Sequence, residues 1–509
     1  MAHNNKQIVK LLSSLDLGAS VAEQDNLLER SRIETSAFSD VATDRVDLVP
    51  GTKGSGKSAL FRIFVEFLPK HLLQSRKVVI AHGVNAPGDP VFHAFSDRFA
   101  LLNEEDFVMF WHIYLVSLAH EQFIKNERYA EFLKDSQDAI QAFRLACAKA
   151  GIPEIAAKKS LRSILEWSLH VLSKWRPKLT FKAPHDAGEF ELDLFGNPKE
   201  GQTKPIESND SHPTFLNEVK DRLEDVLKKS ELSLWLMVDR LDEIFPRRSD
   251  IERKALRGLL RAMRFFSSAD IRLKIFLRDD MLDHLVSDSE GFTALTHVTA
   301  RQSDTLRWTS EQLLTMVVKR VFANKALATY LGVNMQEIEA SAAYRQKCFY
   351  KVFPPTVFRG PKQSTTLDWI CNRCADGRGV VTPRDVLDLL IRARQKQIDL
   401  CGGDIGGNTE FVIGSDAIVY GLEQLSNRKR QTYLEAEFPH LWGDIQKFIG
   451  GKTEYDEEAL NALLGVKWRP VAENLAAIGF FKKKAAAGGA VYSVPLVYRH
   501  GMDLTQGKA

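Results

Sequence analysis

Cysteine is scarce in this chain. Only five of its 509 residues are cysteines, too few in so long a chain to form the framework of a disulfide-stabilised domain. They stand at Cys147, Cys348, Cys371, Cys374 and Cys401. This usage excludes a small secreted scaffold and predicts a reducing, cytoplasmic setting.

Long apolar runs are also missing. A membrane-spanning helix needs about 20 predominantly apolar residues, whereas runs such as Leu234–Val238 have the length of a strand. The first residues lead into a mixed sequence that lacks the apolar core of a signal peptide. We therefore expect a cytosolic protein with no membrane partner.

Charge of one sign is not in large excess either. The formal net charge is +3, so any surface that binds nucleic acid must be local. The hydrophobic fraction of 44% and the charged fraction of 27% are ordinary for soluble globular proteins. At about 100–200 residues per domain, the length predicts two to four domains.

One glycine-rich segment carries a complete chemical motif. Residues 51–58 match G-x-x-x-x-G-K-S/T, the phosphate-binding loop. Glycines allow successive backbone N–H groups to point at phosphates. Lys57 is expected to contact the β- and γ-phosphates, and Ser58 to bind magnesium. The residues predicted to bind ATP with Mg²⁺ are Gly51, Thr52, Lys53, Gly54, Ser55, Gly56, Lys57, Ser58 and Ala59.

The sequence around this loop predicts the structure that the loop requires. Asp44–Val49 is a short apolar stretch, and Ser58–Phe67 has apolar residues at helical spacing. Strand, glycine loop and helix are therefore expected in that order. The positive end of the following helix would add to anion binding.

Acidic residues follow the all-apolar run Leu234–Val238, which indicates a strand buried on both faces of a parallel sheet. Asp239 is the predicted magnesium-side acid, with the alternative that it caps the following turn. Asp242 and Glu243 lie where a base could orient the attacking water. We favour Glu243 because its side chain is longer, although Asp242 remains open.

The segment Asp239-Arg-Leu-Asp-Glu243 resembles the corresponding motif of STAND-type ATPases, including the NACHT group, which are relatives of the AAA+ and origin-recognition ATPases. The segments Leu17–Asp25 and Ile33–Phe38 resemble bacterial P-loop proteins that recur beside antiphage genes. Arg240 departs from the pattern, because many AAA+ proteins have the catalytic glutamate there. The long interval between Lys57 and Asp239 implies a large inserted module.

The resemblance also implies two sensor arginines. Arg278 follows the predicted strand Leu273–Leu277 and would sense the γ-phosphate, unless it pairs with a nearby acid such as Asp279. Arg384 would reach the γ-phosphate from a helical lid, unless it faces solvent. Pro383 suits the first turn of that lid helix.

A basic segment follows the acidic motif. We expect Leu256, Leu260 and Met263 to face inward. Arg257, Arg261 and Arg264 would then share the opposite face of the helix. That face is a solvated surface, a nucleic-acid path, or the source of an arginine for a neighbouring subunit's nucleotide. The basic residues are Arg247, Arg248, Arg253, Lys254, Arg257, Arg261 and Arg264.

The last residues predict a winged-helix-like module. Asp456–Leu464 and Arg469–Ile478 have the pattern of two short helices, and a glycine-tipped hairpin with lysines follows. If the module binds DNA, the triple Lys482, Lys483 and Lys484 would contact phosphates. The alternative is a packing role. Earlier in the chain, Cys371 and Cys374 have no second pair at zinc-ligand spacing and are expected to pack as small apolar groups.

These patterns predict an α/β protein with a P-loop NTPase core, a parallel sheet, a large and mainly helical insertion, a helical lid and a C-terminal winged-helix-like domain. N-terminal helices (7–16 and 20–31) and a strand-like segment (32–38) occupy residues 1–44. The core covers 45–300 with its insertion at about 100–230, the lid covers 301–402, and the linker and last domain cover 403–509.

The function predicted is an ATP-hydrolysing switch of the STAND/AAA+ type. The resemblance implies a homo-oligomer or a separate effector protein as its partner, and a role in antiphage defence. One alternative is a DNA-binding ATPase of the replication-initiator or loader class. Another is a nucleotide-bound scaffold that does not hydrolyse ATP.

Overall fold

The structure is a computed structural model that describes residues 3–83, 99–152, 168–169, 172, 212–243, 249–286, 292, 295–486 and 489–509. Residues 173–211 of the predicted insertion therefore lie outside the described residues, as do Arg247 and Arg248.

The strands of the described residues fall into three sheets. In chain order they are β1 His3–Asn4, β2 Leu48–Gly51, β3 Val78–Gly83, β4 Ser233–Val238, β5 Ile271–Arg278, β6 Asn408–Thr409, β7 Lys452–Tyr455, β8 Lys482–Ala486, β9 Gly489–Ser493 and β10 Thr505–Lys508.

Helices make up most of the remaining described structure. The first group is α1 Asn5–Ser14, α2 Ser36–Ala42, α3 Lys57–Arg62, α4 Pro69–Arg76, α5 Glu104–Ala119, α6 Gln137–Lys149, α7 His212–Ser230, α8 Asp250–Phe265, α9 Asp279–Val286 and α10 Leu295–Thr299. The second group is α11 Ser310–Phe322, α12 Lys325–Tyr330, α13 Met335–Ala340, α14 Ala342–Val352, α15 Thr366–Cys374, α16 Pro383–Gly403, α17 Ser415–Lys429, α18 Pro439–Ile445, α19 Glu457–Leu464, α20 Trp468–Ala477 and α21 Leu496–Arg499.

The N-terminal region corrects two predictions. Residues 20–31 do not form a helix, and only a short 3₁₀ turn is present at Ala22–Gln24. The strand-like segment at 32–38 is wrong as well, because α2 begins there. The Thr35 hydroxyl accepts a hydrogen bond from the Phe38 backbone N–H at 3.2 Å and so starts the helix. This local cap starts a helix inside the segment that was predicted to be extended.

The chain divides into two compact units. One unit comprises 44–50 and 64–303 and is called the sheet unit here. Its parallel sheet has the order β2-β5-β4-β3. The strand β4 is almost wholly buried, as its unbroken apolar run predicts. The predicted insertion is helical where it is described, in α5, α6 and α7.

The other unit comprises 1–43, 51–63 and 304–509 and is called the loop unit because it contains the glycine loop. The long helix α16 packs on α1 and α17 and forms the centre of its hydrophobic core. The C-terminal part of the loop unit contains α19, α20 and the antiparallel hairpin β8–β9. This hairpin lies in a sheet of order β10-β7-β9-β8. The helices and hairpin lie where the sequence predicted them, and the winged-helix assignment itself stays a prediction.

All five cysteines are buried free thiols. Cys371 and Cys374 lie on α15, where burial raises the pKa of both thiols, so they pack as small apolar groups. Among the described helices, none is long and apolar enough to cross a membrane.

Candidate nucleotide-binding site

The glycine loop has the predicted strand, loop and helix around it. The strand β2 ends at Gly51 and α3 begins at Lys57. Gly54 and Gly56 have φ values of 83° and 98°, in the left-handed region that residues with a Cβ rarely adopt. The two glycines are therefore required for the curl of the loop.

The Lys57 side chain lies inside this curl. Its ammonium group donates to the carbonyl oxygens of Gly51 at 2.7 Å and Thr52 at 3.0 Å, and the residue is 9% exposed. These carbonyls are neutral oxygen acceptors. A phosphate oxygen carries more charge and forms a shorter, stronger charge-assisted bond with an ammonium.

Two hydroxyl groups in the loop show that it fits an anionic ligand. The Oγ1 atom of Thr52 and the Oγ atom of Ser55 are buried and have no hydrogen-bond partner among the described residues. A buried hydroxyl without a partner costs free energy, about 1–3 kcal/mol. Both donors are therefore available for phosphate oxygens, and Ser58, in the first turn of α3, supplies the hydroxyl expected at a magnesium ion.

Side chains distant in sequence pack against the loop within the same unit. The indole N–H of Trp308 donates to the Ser55 carbonyl at 2.7 Å. The ammonium of Lys53 contacts the carboxylate of Glu437. Neither Trp308 nor Glu437 was predicted from the sequence, because no local motif marks a residue whose partner lies hundreds of positions away.

Arg384 lies next to the glycine loop. The helix α16 starts at Pro383, and the Thr382 hydroxyl caps it by accepting from the Asp385 N–H at 3.2 Å. A Cβ atom placed on Gly54 would be 3.2 Å from the Cβ of Arg384. The first turn of α16 therefore lies against the tip of the loop. The Arg384 Nε–H donates to the Ser20 carbonyl at 3.2 Å. Contact with a γ-phosphate stays a prediction.

The predicted acids belong to the sheet unit. Asp239 directly follows β4 and is 2% exposed, as expected for a carboxylate presented at the end of a buried strand. Arg240 has a φ of 61°, which places a residue with a side chain in the left-handed region. The backbone then forms a 3₁₀ turn over Leu241–Glu243. The Glu243 side chain lies outside the described residues, so its role as base stays a prediction.

The guanidinium group of Arg278 is held by carboxylates. Its Nε and Nη2 atoms donate to the two oxygens of Asp280 at 2.9 and 2.8 Å, and its Nη1 donates to Asp242 at 3.2 Å. This is the acid-paired alternative anticipated for Arg278, and Asp280 and Asp242 are among its acidic partners. Asp242 is thereby oriented by an arginine, and its role as base stays a prediction.

The basic helix α8 differs from the arginine-rich solvated face that we expected. Leu256, Leu260 and Met263 are buried as predicted. Arg257, however, is 4% exposed, and it donates to the Leu285 carbonyl at 3.4 Å. The prediction of an outward Arg257 is wrong, because α8 is covered on more than one side.

The lysines of the C-terminal hairpin are exposed. They lie on β8, which forms one edge of its sheet, and Lys482, Lys483 and Lys484 all face solvent. Lys483 pairs with Glu473 at 2.5 Å, and this hydrogen bond raises the pKa of the lysine.

No protein-family model matches this sequence, and no curated protein matches it. Among solved structures, the chain is similar to the ORC2 protein of Aeropyrum pernix in its ADPNP–ADP complexes. The two chains are 13% identical, the alignment covers 93% of each, and the TM-score is 0.38. A similarity of this size carries no argument, and the functional conclusion depends on the contacts of this chain's own residues.

Proposed function

We propose that the chain binds ATP with Mg²⁺ at its glycine loop and hydrolyses the nucleotide as a molecular switch. The loop carries this proposal. It combines two left-handed glycines, an inward lysine ammonium and two buried hydroxyl donors within residues 51–58. A triphosphate has many charged oxygen atoms close together, and a short loop with this many hydrogen-bond donors suits it better than it suits most other ligands.

Each residue of the loop has a definite task in binding. Lys57 exchanges the two loop carbonyls for phosphate oxygens, and the hydroxyls of Thr52 and Ser55 add neutral donors. Bound Mg²⁺ supplies positive charge beside the phosphates. Ser58 and Asp239 are the residues predicted to hold the ion. Glu243 is proposed to orient the attacking water by accepting one of its protons.

A switch needs a residue that distinguishes ATP from ADP, and we assign this role to Arg384. The first turn of α16 already lies against the loop, so a γ-phosphate need only draw the guanidinium from the Ser20 carbonyl. A neutral carbonyl is the weaker acceptor for a guanidinium. The ATP-bound state would thereby differ from the resting state in both α16 and the N-terminal segment.

The proposed setting is the cytoplasm, where ATP binding would control a homo-oligomer or a separate effector. The antiphage role depends on the likeness of Leu17–Asp25 and Ile33–Phe38 to P-loop proteins encoded beside antiphage genes.

The test compares a variant that should slow hydrolysis with a variant that should lose the response to the γ-phosphate. Glu243→Gln removes the base but keeps the side-chain length, so it should bind ATP, turn over slowly and accumulate the ATP-dependent assembly. Arg384→Ala should deplete that assembly even with ATP bound. Gel filtration with and without ATP measures the assembly state of each variant, and phosphate release and bound ATP are measured in parallel. Identical assembly states for both variants and wild type, with ATP bound in each, would leave the scaffold as the better account.

A second candidate is a DNA-binding ATPase of the loader class. The observation that favours it is the exposure of three consecutive lysines on the edge strand β8. Replacing all three by alanine should weaken duplex DNA binding and flatten the dependence of log K on log salt, by up to about 0.9 for each phosphate that the variant no longer neutralises. An unchanged salt dependence would assign the module a packing role.

A further inference from the structure

The glycine loop carries a second lysine, and its partner is an acid far along the chain. Lys53 is the third residue of the loop, and its ammonium contacts the carboxylate of Glu437. The Glu437 side chain is 7% exposed, whereas that of Lys53 is 30% exposed. Because the Glu437 carboxylate is buried, the residues packed around it fix its position.

The backbone around Glu437 explains this placement. Leu434 and Phe438, on either side of it, are buried at 0% and 3% exposure. The ring of Tyr433 packs edge-on against Phe438 with centroids 5.2 Å apart, and its hydroxyl donates to the Ile478 carbonyl at 3.0 Å. The segment from Tyr433 to Phe438 is thus anchored on both sides of the acid and tied to the end of α20.

The cations at the loop all contact oxygen atoms of the protein itself. Lys57 contacts two loop carbonyls, Arg384 contacts the Ser20 carbonyl, and Lys53 contacts Glu437. Of these described contacts, the one from Glu437 brings a formal negative charge. A carboxylate and a phosphate cannot both approach Lys53 closely without repelling each other, and burial strengthens that repulsion.

We infer that Glu437 is an internal competitor of the nucleotide's phosphate groups, which lowers ATP affinity and couples ATP binding to the C-terminal module. When phosphate oxygens approach Lys53, the carboxylate must leave. The anchored segment from Tyr433 to Phe438 must then shift, and its bond to Ile478 transmits the shift to α20. This inference rests on the proposed function.

The experiment measures equilibrium binding of ATP and of ADP, without Mg²⁺ so that no turnover intervenes, to purified full-length variants. Glu437→Gln keeps the shape of the side chain and removes its charge, so it should bind ATP about tenfold more tightly than wild type, which corresponds to 1.4 kcal/mol. The matched control is Glu435→Gln, two residues away and exposed, which should bind like wild type. Thermal melting of each variant confirms that it is folded.

A second readout does not depend on any substitution. Hydrogen exchange in wild type should become faster at residues 433–438 when ATP is added, because the carboxylate is displaced from Lys53. Slower or unchanged exchange there would overturn the coupling.

The possible binding results separate the two proposals. Equal ATP affinities of wild type and Glu437→Gln would overturn the competitor role and leave the proposed function standing. Binding by Glu437→Gln where wild type binds too weakly to detect would support both. Binding by neither protein, in a repeat with Mg²⁺ as well as without it, would overturn both.

Discussion

Two inward-facing lysines show how differently the two units use positive charge. In the sheet unit, Lys274 has a fully buried side chain that contacts Asp44 at 2.6 Å and Asp47 at 3.2 Å. Its ammonium also lies 4.4 Å from the centre of the Trp235 ring. In the loop unit, the described hydrogen bonds of Lys57 go to the carbonyls of Gly51 and Thr52.

The difference lies in what each lysine could exchange. Lys274 is held by carboxylates that are themselves anchored, since Arg301 donates to Asp47 at 2.6 Å. An incoming anion would form no stronger bond with Lys274 than these carboxylates already do, so the charge of Lys274 stabilises the fold. The described bonds of Lys57 go to neutral carbonyl oxygens, and a phosphate oxygen would form a stronger bond with the ammonium than these carbonyls do. The same residue type is therefore structural in one unit and is proposed to be a binding group in the other.

The largest expected effect is on stability. Lys274→Ala would break a buried ion pair and leave Asp44 and Asp47 to arginines such as Arg301, so it should lower the free energy of unfolding by about 3–5 kcal/mol. Urea denaturation measures the change. Lys134→Ala is the control, because that side chain is 70% exposed and its loss should change stability by less than about 0.5 kcal/mol. Equal effects of the two substitutions would show that Lys274 is not the structural charge described here.

Acid should destabilise the sheet unit through His120. Burial first, and then the positive charges of Lys125 and Arg144, lower the pKa of His120 to about 4. The unfolded chain binds a proton near the ordinary pKa of 6.5, and the folded chain does not until about 4. Stability from this residue is therefore present above pH 6.5 and is lost as the pH falls toward 4, by about 1.4 kcal/mol per pH unit.

The variant His120→Phe tests this slope, because it keeps an aromatic ring beside Phe143 and cannot titrate. The free energy of unfolding, measured by urea denaturation at several pH values between about 4.5 and 7, should fall less steeply in the variant than in wild type. Parallel pH profiles would mean that His120 is not the group responsible.

Lys57→Ala should act on binding and not on the fold. Removing a charge-assisted bond to phosphate costs about 1.5–3 kcal/mol, so ATP affinity should fall about 10- to 100-fold. The melting temperature should stay close to that of wild type, since the described bonds of Lys57 are to its own loop. Lys70→Ala, an exposed lysine on α4, is the control for a general loss of positive charge. Full ATP hydrolysis by Lys57→Ala, free of contaminating ATPase, would refute the assignment of the loop.

The smallest expected effect belongs to Arg384. Because its proposed partner is the γ-phosphate, Arg384→Ala should weaken ATP binding by about fivefold to tenfold and leave ADP binding nearly unchanged. Arg384→Lys keeps the positive charge but lacks the planar guanidinium, so its ATP affinity should lie between those of wild type and Arg384→Ala. Equal losses of ATP and ADP affinity would show that Arg384 does not distinguish the nucleotides.

The sequence by itself determined the features that are encoded locally. Consecutive residues 51–58 specify the glycine loop, because the glycine positions and the lysine act within one turn of backbone. The all-apolar run before Asp239 specifies a buried strand, since a run without polar residues needs cover on both faces. The buried thiols of Cys371 and Cys374 follow from helical spacing in the same way.

Only the tertiary structure decided which distant residues meet. Lys53 and Glu437 are 384 positions apart, and Arg384 and Ser20 are 364 apart, so no periodicity or motif could connect them. Arg257 was predicted outward from its own helix and is buried by other elements, because a helical pattern shows one apolar face and cannot show what covers the other. Local sequence sets the chemistry that each element presents, and packing sets which charges face each other.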